Sequence, residues 1–213
     1  IINIYYTKRQ NLRYTVNYVE KGTNKTIANS KIVENQEYGT IIYADNEAIR
    51  IEGYIYDSAD NDKLEIGTGR NIINIYYTKR KDLSYTVNYL EQGTNKKIAD
   101  AKTTGNQEYE KEIRAQDEVI EIDGYTYISA SAEVIKIGTG TNVINLYYEK
   151  ITGLRYTVNY LDKETSQSIH SSKTEGNKTF GETVIAQNEA ITIDGYTYDS
   201  ADKESLTITT GEN

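Results

Sequence analysis

The chain has 213 residues, with 32 acidic and 24 basic side chains and a formal net charge of −8 at pH 7. The two signs are interleaved, so no basic patch is available to neutralise the phosphates of a nucleic acid or an anionic membrane. No apolar run approaches the ~20 residues of a membrane-spanning helix, which argues against membrane insertion. The absence of cysteine excludes disulfides, thiolate catalysis and cysteine-bound metal ions.

Tyrosine supplies nearly all the aromatic content: there are 21 tyrosines, one phenylalanine and no tryptophan. Tyrosine therefore has to serve as the core aromatic, with its hydroxyl left for water or a polar partner. Isoleucine, valine, threonine and tyrosine together favour β-strands. The composition predicts a mostly β protein.

One segment pattern recurs three times at a spacing of 71 residues, without insertion or deletion. Tyr14–Tyr18 returns as Tyr85–Tyr89 and Tyr156–Tyr160, and Gly53-Tyr54 returns as Gly124-Tyr125 and Gly195-Tyr196. A unit of this length is long enough to form a small domain with its own core. The connections between units are short and charged rather than rich in glycine, serine or proline. The sequence therefore predicts three tandem modules that form an elongated, semi-rigid rod.

The elements of one repeat can be followed in the second copy. Tyr85, Val87 and Tyr89 alternate with polar residues, as expected of a half-buried strand, and a glycine turn leads into a second extended segment at Lys97–Ala99. Residues 109–122 fit neither period, and Gln116–Ile120 is compatible with one helical turn.

The second half of the repeat predicts three further strands. Gly124 precedes an alternating Tyr125-Thr126-Tyr127 strand. Val134–Ile137 and Val143–Tyr148 then flank the glycine-bearing segment Gly138–Asn142, a pattern that predicts a β-hairpin.

The repeat boundaries place residues 1–10 as the closing strand of a preceding repeat, followed by repeat 1 (11–80), repeat 2 (81–151) and repeat 3 (152–213), which lacks a closing strand. Two interpretations follow. In the first, the boundaries were cut from a longer array. In the second, Ile1–Tyr6 of one chain completes repeat 3 of the next by strand addition, a head-to-tail self-association.

The repeats resemble the MucBP (mucin-binding protein) family of Gram-positive surface proteins. The resemblance is carried by the opening strand and turn (Tyr85–Gly93), the central Gly124-Tyr125 and the closing segment Gly138–Tyr148, with counterparts in the other copies. The family usually has proline before the central Gly-Tyr, where this chain has Glu52, Asp123 and Asp194.

The resemblance implies β-grasp-like modules with at most one short helix each, displayed in tandem outside the cell and anchored to the wall through other parts of the parent protein. It implies adhesion to mucin glycans or host surface proteins for the parent. For the repeats themselves it leaves two alternatives, weak ligand binding or a purely structural spacer. It implies neither a cofactor nor an enzymatic activity.

Four patterns suggest other chemistry, and each has a simpler interpretation. His170 is the only histidine, and the other copies have alanine there. The acidic cluster Asp57, Asp60 and Asp62 lacks the spacing of a calcium loop and is not kept in repeat 2. Gly67-Thr68-Gly69 precedes a strand, so turn formation explains it better than phosphate binding. Recurring lysines could form isopeptide bonds with recurring asparagines in the closing strand, but surface positions are the simpler explanation; they are Lys31, Lys102 and Lys173, with Asn74 and Asn145.

The tyrosines offer the most plausible binding surface. Each repeat has a pair that points to one face of a strand: Tyr54 and Tyr56, Tyr125 and Tyr127, Tyr196 and Tyr198. Aromatic faces stack on sugar rings, and repetition would add avidity to a weak site. The alternative is that one or both members of each pair belong to the core, which is favoured for the tyrosine that follows glycine. An exposed second tyrosine would be the better candidate.

Overall fold

The structure is a computed structural model that describes all 213 residues. It is almost entirely β, with no α-helix, which confirms the predicted strand-rich class. Repeat 1 contains β1 (Leu12–Glu20), β2 (Thr26–Gln36), β3 (Ile41–Tyr43), β4 (Tyr54–Ala59), β5 (Lys63–Glu65) and β6 (Ile72–Lys79). Repeat 2 contains β7 (Leu83–Glu91), β8 (Lys97–Gln107), β9 (Glu112–Arg114), β10 (Tyr125–Ala130), β11 (Val134–Lys136) and β12 (Val143–Lys150). Repeat 3 contains β13 (Leu154–Leu161), β14 (Ser168–Lys178), β15 (Thr183–Ile185) and β16 (Ser205–Thr207).

A single turn of 3₁₀ helix occurs once in each repeat, at Ala44–Glu47, Ala115–Glu118 and Ala186–Glu189. In repeat 2 this turn overlaps the segment for which the sequence suggested one helical turn. No helix in the structure has both the length and the apolar character needed to cross a membrane.

The main sheet of repeat 1 has the strand order β2-β1-β6-β4, and that of repeat 2 has the corresponding order β8-β7-β12-β10. Its two central strands, β1 and β6 in repeat 1, run parallel, with Asn17 opposite Asn74. They are the first and last strands of the repeat, so the chain between them supplies the crossover that a parallel pair requires. The short strands β3 and β5 form a separate antiparallel pair, and β9 and β11 form a separate two-stranded sheet.

Tyrosine and isoleucine fill the core of repeat 1 from these two central strands. Val16 and Tyr18 on β1 and Ile75 and Tyr77 on β6 are at most 1% exposed. The rings of Tyr18 and Tyr77 meet edge to face, with their centroids 6.4 Å apart, a geometry that aromatic pairs favour. The prediction that tyrosine serves as the core aromatic is confirmed.

The predicted hairpin between Val134–Ile137 and Val143–Tyr148 is wrong. β11 pairs with β9, and β12 instead pairs with β7 in parallel and with β10 antiparallel. Asn142 explains the divergence, because its side chain accepts a hydrogen bond from the Gly138 amide and donates to the Gly138 and Ser84 carbonyls. The loop is thus closed by a side chain rather than by a ladder of strand hydrogen bonds.

Repeat 3 has a smaller set of pairings. β13 pairs with β14 and β15 with β16, each as a two-stranded sheet. Tyr196–Ala201, the counterpart of β4 and β10, forms no strand. Tyr160 in β13 is correspondingly only partly buried, whereas its counterparts Tyr18 and Tyr89 are 1% and 2% exposed.

The chain divides into two compact units. The first comprises Ile1–Tyr85, Thr104–Ile113 and Lys136–Asn142, and the second comprises Thr86–Thr103, Arg114–Ile135 and Val143–Asn213. The boundary runs through repeat 2, so the connection from repeat 1 to repeat 2 lies within the first unit and that from repeat 2 to repeat 3 lies within the second. The repeat boundaries inferred from the sequence stay a prediction.

Candidate functional site

The candidate tyrosine pairs occupy two kinds of environment. Tyr54 and Tyr56 lie on β4, and Tyr125 and Tyr127 on β10, each an outer strand of its sheet. Tyr54, Tyr125 and Tyr127 are half-buried and Tyr56 is 38% exposed. In repeat 3, Tyr196 and Tyr198 are 50% and 48% exposed.

In repeats 1 and 2, the first tyrosine of the pair contacts an aromatic ring of the following repeat. Tyr54 meets Tyr109 edge to face at a centroid distance of 5.7 Å, and Tyr125 meets Phe180 in the same way at 5.8 Å. Tyr109 and Phe180 occupy corresponding positions of successive repeats. We refer to these two contacts, with the glycines beneath them, as the first and second junctions. A tyrosine so placed is partly covered by the protein itself.

Glycine is required before each of these tyrosines for two reasons. Gly53 and Gly124 both have φ of +77°, a conformation that other residues adopt only with strain. A Cβ built on Gly53 would overlap the ring of Tyr109, and one on Gly124 would overlap the ring of Phe180. Gly195 has a similar φ of +79° but no atom within 4 Å of its Cβ position. The glycine of the Gly-Tyr motif therefore forms a turn and also leaves space for an aromatic ring of the next repeat.

Backbone hydrogen bonds run through each junction in the same pattern. At the first, the Arg80 amide donates to the Gly53 carbonyl at 2.9 Å and the Tyr109 amide to the Arg80 carbonyl at 2.8 Å. At the second, the Ile151 amide donates to the Gly124 carbonyl and the Phe180 amide to the Ile151 carbonyl, both at 2.9 Å. The connecting segments are thus held to the repeats on both sides.

An acidic side chain beside each glycine adds a further contact. The hydroxyl of Thr139 donates to Glu52 at 2.6 Å, and that of Thr210 to Asp123 at 2.7 Å. These acidic residues stand where the MucBP family usually has proline, which has no side-chain acceptor. The departure from the family pattern thus makes a polar contact that sequence reasoning missed.

Charged residues surround the first junction. A surface depression there is lined in part by Lys79, Lys81, Glu108 and Glu110. Lys79 pairs with Glu110 at 3.0 Å, and Lys81 pairs with Glu108 at 3.4 Å. An incoming ligand would meet charges that are already paired, so this depression is a weak candidate for a binding site.

In repeats 1 and 2, the second tyrosine of the pair packs against a ring of its own repeat. The Tyr56 ring meets Tyr77 edge to face at 6.1 Å, and its hydroxyl donates to Asp45 at 2.7 Å. This hydrogen bond, followed by partial burial and the charge of Asp45, raises the pKa of Tyr56 to about 12. Tyr127 similarly contacts Tyr148 at 5.7 Å. The rings are held in place, and part of the Tyr56 ring remains open to solvent.

A polar cluster of tyrosine, lysine and glutamate recurs that the sequence did not reveal. In repeat 1, Glu47 accepts hydrogen bonds from the Tyr14 hydroxyl at 3.0 Å and from the Lys31 ammonium at 2.6 Å. Tyr156, Lys173 and Glu189 form the same arrangement in repeat 3, and Lys102 pairs with Glu118 in repeat 2. The recurrence of glutamate 16 residues after each lysine was the available signal.

The contacts of the recurring lysines can be compared with the hypothesis that they form isopeptide bonds with asparagine. The recurring lysines pair with glutamates, and the Asn74 side chain instead bonds to Asn17 and Asp60. The lysines are between 39% and 51% exposed, whereas the chemistry requires a buried lysine in contact with the asparagine. The geometry favours a salt bridge over a covalent cross-link.

Comparison with known proteins found similar chains only among solved structures. No protein-family model and no curated protein matches the chain. The chain is similar to the type 2 repeat of the mucus-binding protein MUB from Lactobacillus reuteri, at 15% identity over 66% of this chain and 100% of that one, with a TM-score of 0.27. It is similar to Mub-RV at 15% identity over 66% and 99%, with a TM-score of 0.24. It is also similar to domains 3–4 of the Streptococcal High Identity Repeats in Tandem (SHIRT) of a cell surface protein, at 10% identity over 65% and 98%, with a TM-score of 0.24.

The remaining candidates have local partners of their own. His170 is exposed, stacks edge-on against Tyr160 at 5.5 Å and bonds to the Ser171 carbonyl. Asp57 pairs with Lys21, and Asp60 accepts hydrogen bonds from Asn74. No group of three or more histidine, aspartate or glutamate side chains is arranged to hold a metal ion. In Gly67–Gly69, the Gly67 amide donates to Asn71, which closes a turn.

Proposed function

We propose that this chain is a repeat segment of a bacterial cell-surface protein and acts there as a spacer, or stalk, outside the cell. The observation that carries the proposal is the pair of junctions. In both, the Gly-Tyr motif is covered by a ring of the next repeat and held by the same backbone hydrogen bonds. Residues whose contacts join one repeat to the next are expected in an array that serves as a spacer.

The sequence motifs of the MucBP resemblance support a surface location for the parent protein. An enzyme is disfavoured because no nucleophile with an adjacent base recurs among the repeats. In repeat 1, the tyrosine and the glutamate of the recurring Tyr-Glu-Lys cluster are buried, with Tyr14 4% and Glu47 8% exposed. Its hydrogen bonds stabilise the packing and hold the exposed lysine in an ion pair.

A weak binding role is the second candidate. It rests on the second tyrosines, of which Tyr56 and Tyr198 are 38% and 48% exposed. Mucin glycans or host surface proteins are the expected ligands, because a partly exposed ring offers a stacking surface for a sugar.

The two roles can be separated by measuring binding and junction stiffness in the same protein. For binding, the chain is applied to immobilised mucin and a glycan array beside a Tyr56→Ser, Tyr127→Ser, Tyr198→Ser variant. The spacer role predicts no signal above a bovine serum albumin control from either protein. A signal that disappears in the triple variant would establish the binding role instead.

For stiffness, paired dyes on introduced cysteines report the distance across the first junction, since the chain has no cysteine of its own. Exposed positions Glu34 in repeat 1 and Glu112 in repeat 2 are suitable sites, because both lie in the first compact unit. The spacer role predicts one narrow single-molecule distance distribution, broadened by Tyr109→Ala and unchanged by Tyr38→Ala. A distribution as broad in the parent chain as in the Tyr109→Ala variant would contradict it.

A further inference from the structure

The first and last strands of a repeat lie side by side at the centre of its sheet. In repeat 1, β1 and β6 run parallel through six consecutive residue pairs. These pairs begin with Thr15 opposite Ile72 and end with Glu20 opposite Tyr77. In repeat 2, β7 and β12 are paired in the same way. The strand at which the chain enters the repeat is therefore bonded directly to the strand at which it leaves.

Parallel pairing determines how tension along the chain acts on these two strands. Because β1 and β6 point the same way, the start of β1 and the end of β6 lie at opposite ends of the sheet. Tension on the two ends of the repeat therefore pulls the strands past each other along their length. In this shear geometry all hydrogen bonds of the pair carry load together, whereas strands separated from one end break their bonds one at a time.

Further hydrogen bonds extend the β1–β6 pair at both of its ends. The Thr15 amide donates to the Asn71 carbonyl at 3.0 Å, and the Lys21 amide donates to the Tyr77 carbonyl at 2.8 Å. The Asn71 side chain adds a bond to the Arg13 carbonyl at 2.9 Å. The two segments are thus joined along β1 from Arg13 to Lys21.

A side-chain hydrogen bond also crosses the middle of the pair. The Asn17 side-chain amide donates to the side-chain oxygen of Asn74 at 2.9 Å, and in repeat 2 Asn88 donates to Asn145 at 2.8 Å. Asparagine is depleted in β-strands, yet it occupies all four of these positions. A bond that ties the two strands together across their middle gives a physical reason for asparagine there.

The core resists the same movement from the other face of the sheet. Val16 and Tyr18 of β1 and Ile75 and Tyr77 of β6 are at most 1% exposed. Sliding one strand along the other would separate the rings of Tyr18 and Tyr77 and expose apolar surface to water. Hydrogen bonds and packing therefore oppose shear together.

We propose that this parallel pair is a mechanical clamp, which allows repeats 1 and 2 to bear tension along the chain without unfolding. The clamp consists of β1 and β6 in repeat 1 and of β7 and β12 in repeat 2. Its strength follows from the geometry of a single repeat, whereas its use in carrying load rests on the proposed spacer role. A spacer between a cell and whatever the parent protein contacts would transmit any pull through its clamps.

Single-molecule force spectroscopy on the full chain can load the clamp of repeat 1 in two directions. The chain has no cysteine, so a pair of introduced cysteines defines the points of attachment. Asn11→Cys with Lys81→Cys pulls in shear, because these exposed positions lie just before β1 and shortly after β6. Lys25→Cys with Lys81→Cys separates the strands from one end, because exposed Lys25 lies in the turn after β1. At a given constant load, repeat 1 should survive at least about tenfold longer in shear.

The second test removes the side-chain bond across the clamp. Asn17→Ala loses the bond to Asn74 in β6 and also the bond from Ser30 in β2. Ser30→Ala loses only the bond between β2 and β1, which shear does not load, and is the matched control. In shear, Asn17→Ala should shorten the lifetime of repeat 1 by about three- to tenfold, and Ser30→Ala by less than about twofold.

Equal lifetimes in the two pulling directions would overturn the proposal, and so would equal lifetimes of Asn17→Ala and Ser30→Ala in shear. Cooperative urea unfolding of both variants without load checks that they fold, and the comparison of pulling directions does not depend on either variant. A weak clamp would leave the dye distances of the stiffness measurement unchanged. Failure of the clamp is therefore distinguishable from failure of the spacer role.

Discussion

At the scale of single residues, tyrosine combines the two functions that the core requires of it. The Tyr14 ring is 4% exposed, and its hydroxyl reaches Glu47, which in turn binds Lys31. Phenylalanine would fill the same space but leave Glu47 with one partner fewer. No buried side-chain nitrogen or oxygen in the structure lacks a hydrogen-bond partner, as expected of a well-packed interior.

The same hydroxyls make stability depend on alkaline pH. Burial and the hydrogen bond to glutamate raise the pKa of both Tyr14 and Tyr156 to about 12, from an ordinary value of 10. Folding thus favours the neutral phenol, and this stabilisation is complete below pH 10 and lost as the pH rises from 10 to 12. We expect the free energy of unfolding to fall over that window, by roughly 2 kcal/mol for Tyr14.

Urea unfolding at a series of pH values measures this loss. Tyr14→Phe should lower stability at neutral pH by about 1 kcal/mol and flatten the decline above pH 10. Tyr5→Phe, at a side chain that is 86% exposed, is the control and should change neither. An identical alkaline decline in Tyr14→Phe and the parent chain would contradict the assignment.

At the scale of elements, one strand sequence is found in two environments. Ile75 in β6 is fully buried between β1 and β4, while Ile4 in the identical N-terminal segment is 71% exposed. We expect Ile75→Ala to cost about 2–5 kcal/mol, because it leaves a cavity. Ile4→Ala should cost less than about 0.5 kcal/mol, because the side chain is already in solvent. Equal losses in the two variants would show that burial does not distinguish these positions.

The junction glycines provide a second matched set. Gly53→Ala and Gly195→Ala both place a side chain at positive φ, at a cost of about 1 kcal/mol or more. Gly53→Ala must in addition displace the Tyr109 ring, which should remove about 1 kcal/mol of aromatic contact. Chemical denaturation, with proton NMR of the Tyr54 ring as the local probe, should find the larger loss in Gly53→Ala. Equal effects would mean that the ring contact contributes nothing.

At the scale of the whole molecule, the three repeats differ in how fully their sheets are formed. β1 and β7 each lie between two neighbouring strands, whereas β13 has one. Hydrogen exchange followed by mass spectrometry should therefore find faster exchange in β13 than in β1. We expect at least about a tenfold difference, equivalent to about 1.4 kcal/mol of local opening free energy. Uniform protection across the repeats would contradict this.

The alternation of apolar and polar residues, together with the recurrence of the same motifs along the chain, was enough to predict most strands of each repeat. Tyr85, Val87 and Tyr89 alternate because one face of their strand is buried, and the structure places them at 5% exposure or less. The partners of these strands could not be predicted in the same way. The pattern of Val143–Tyr148 predicts one arm of a hairpin, but the strand pairs in parallel with a strand 57 residues earlier on one edge and antiparallel with β10 on the other.

The sequence by itself determined a β-rich composition and a pattern of short motifs that recurs three times at a spacing of 71 residues, since repetition and periodicity are properties of the chain alone. The tertiary structure decided how the tyrosines are used. It placed Tyr54 and Tyr125 against rings of the next repeat and left Tyr56 partly open. That distinction depends on contacts between residues about 55 positions apart, which local patterning does not encode.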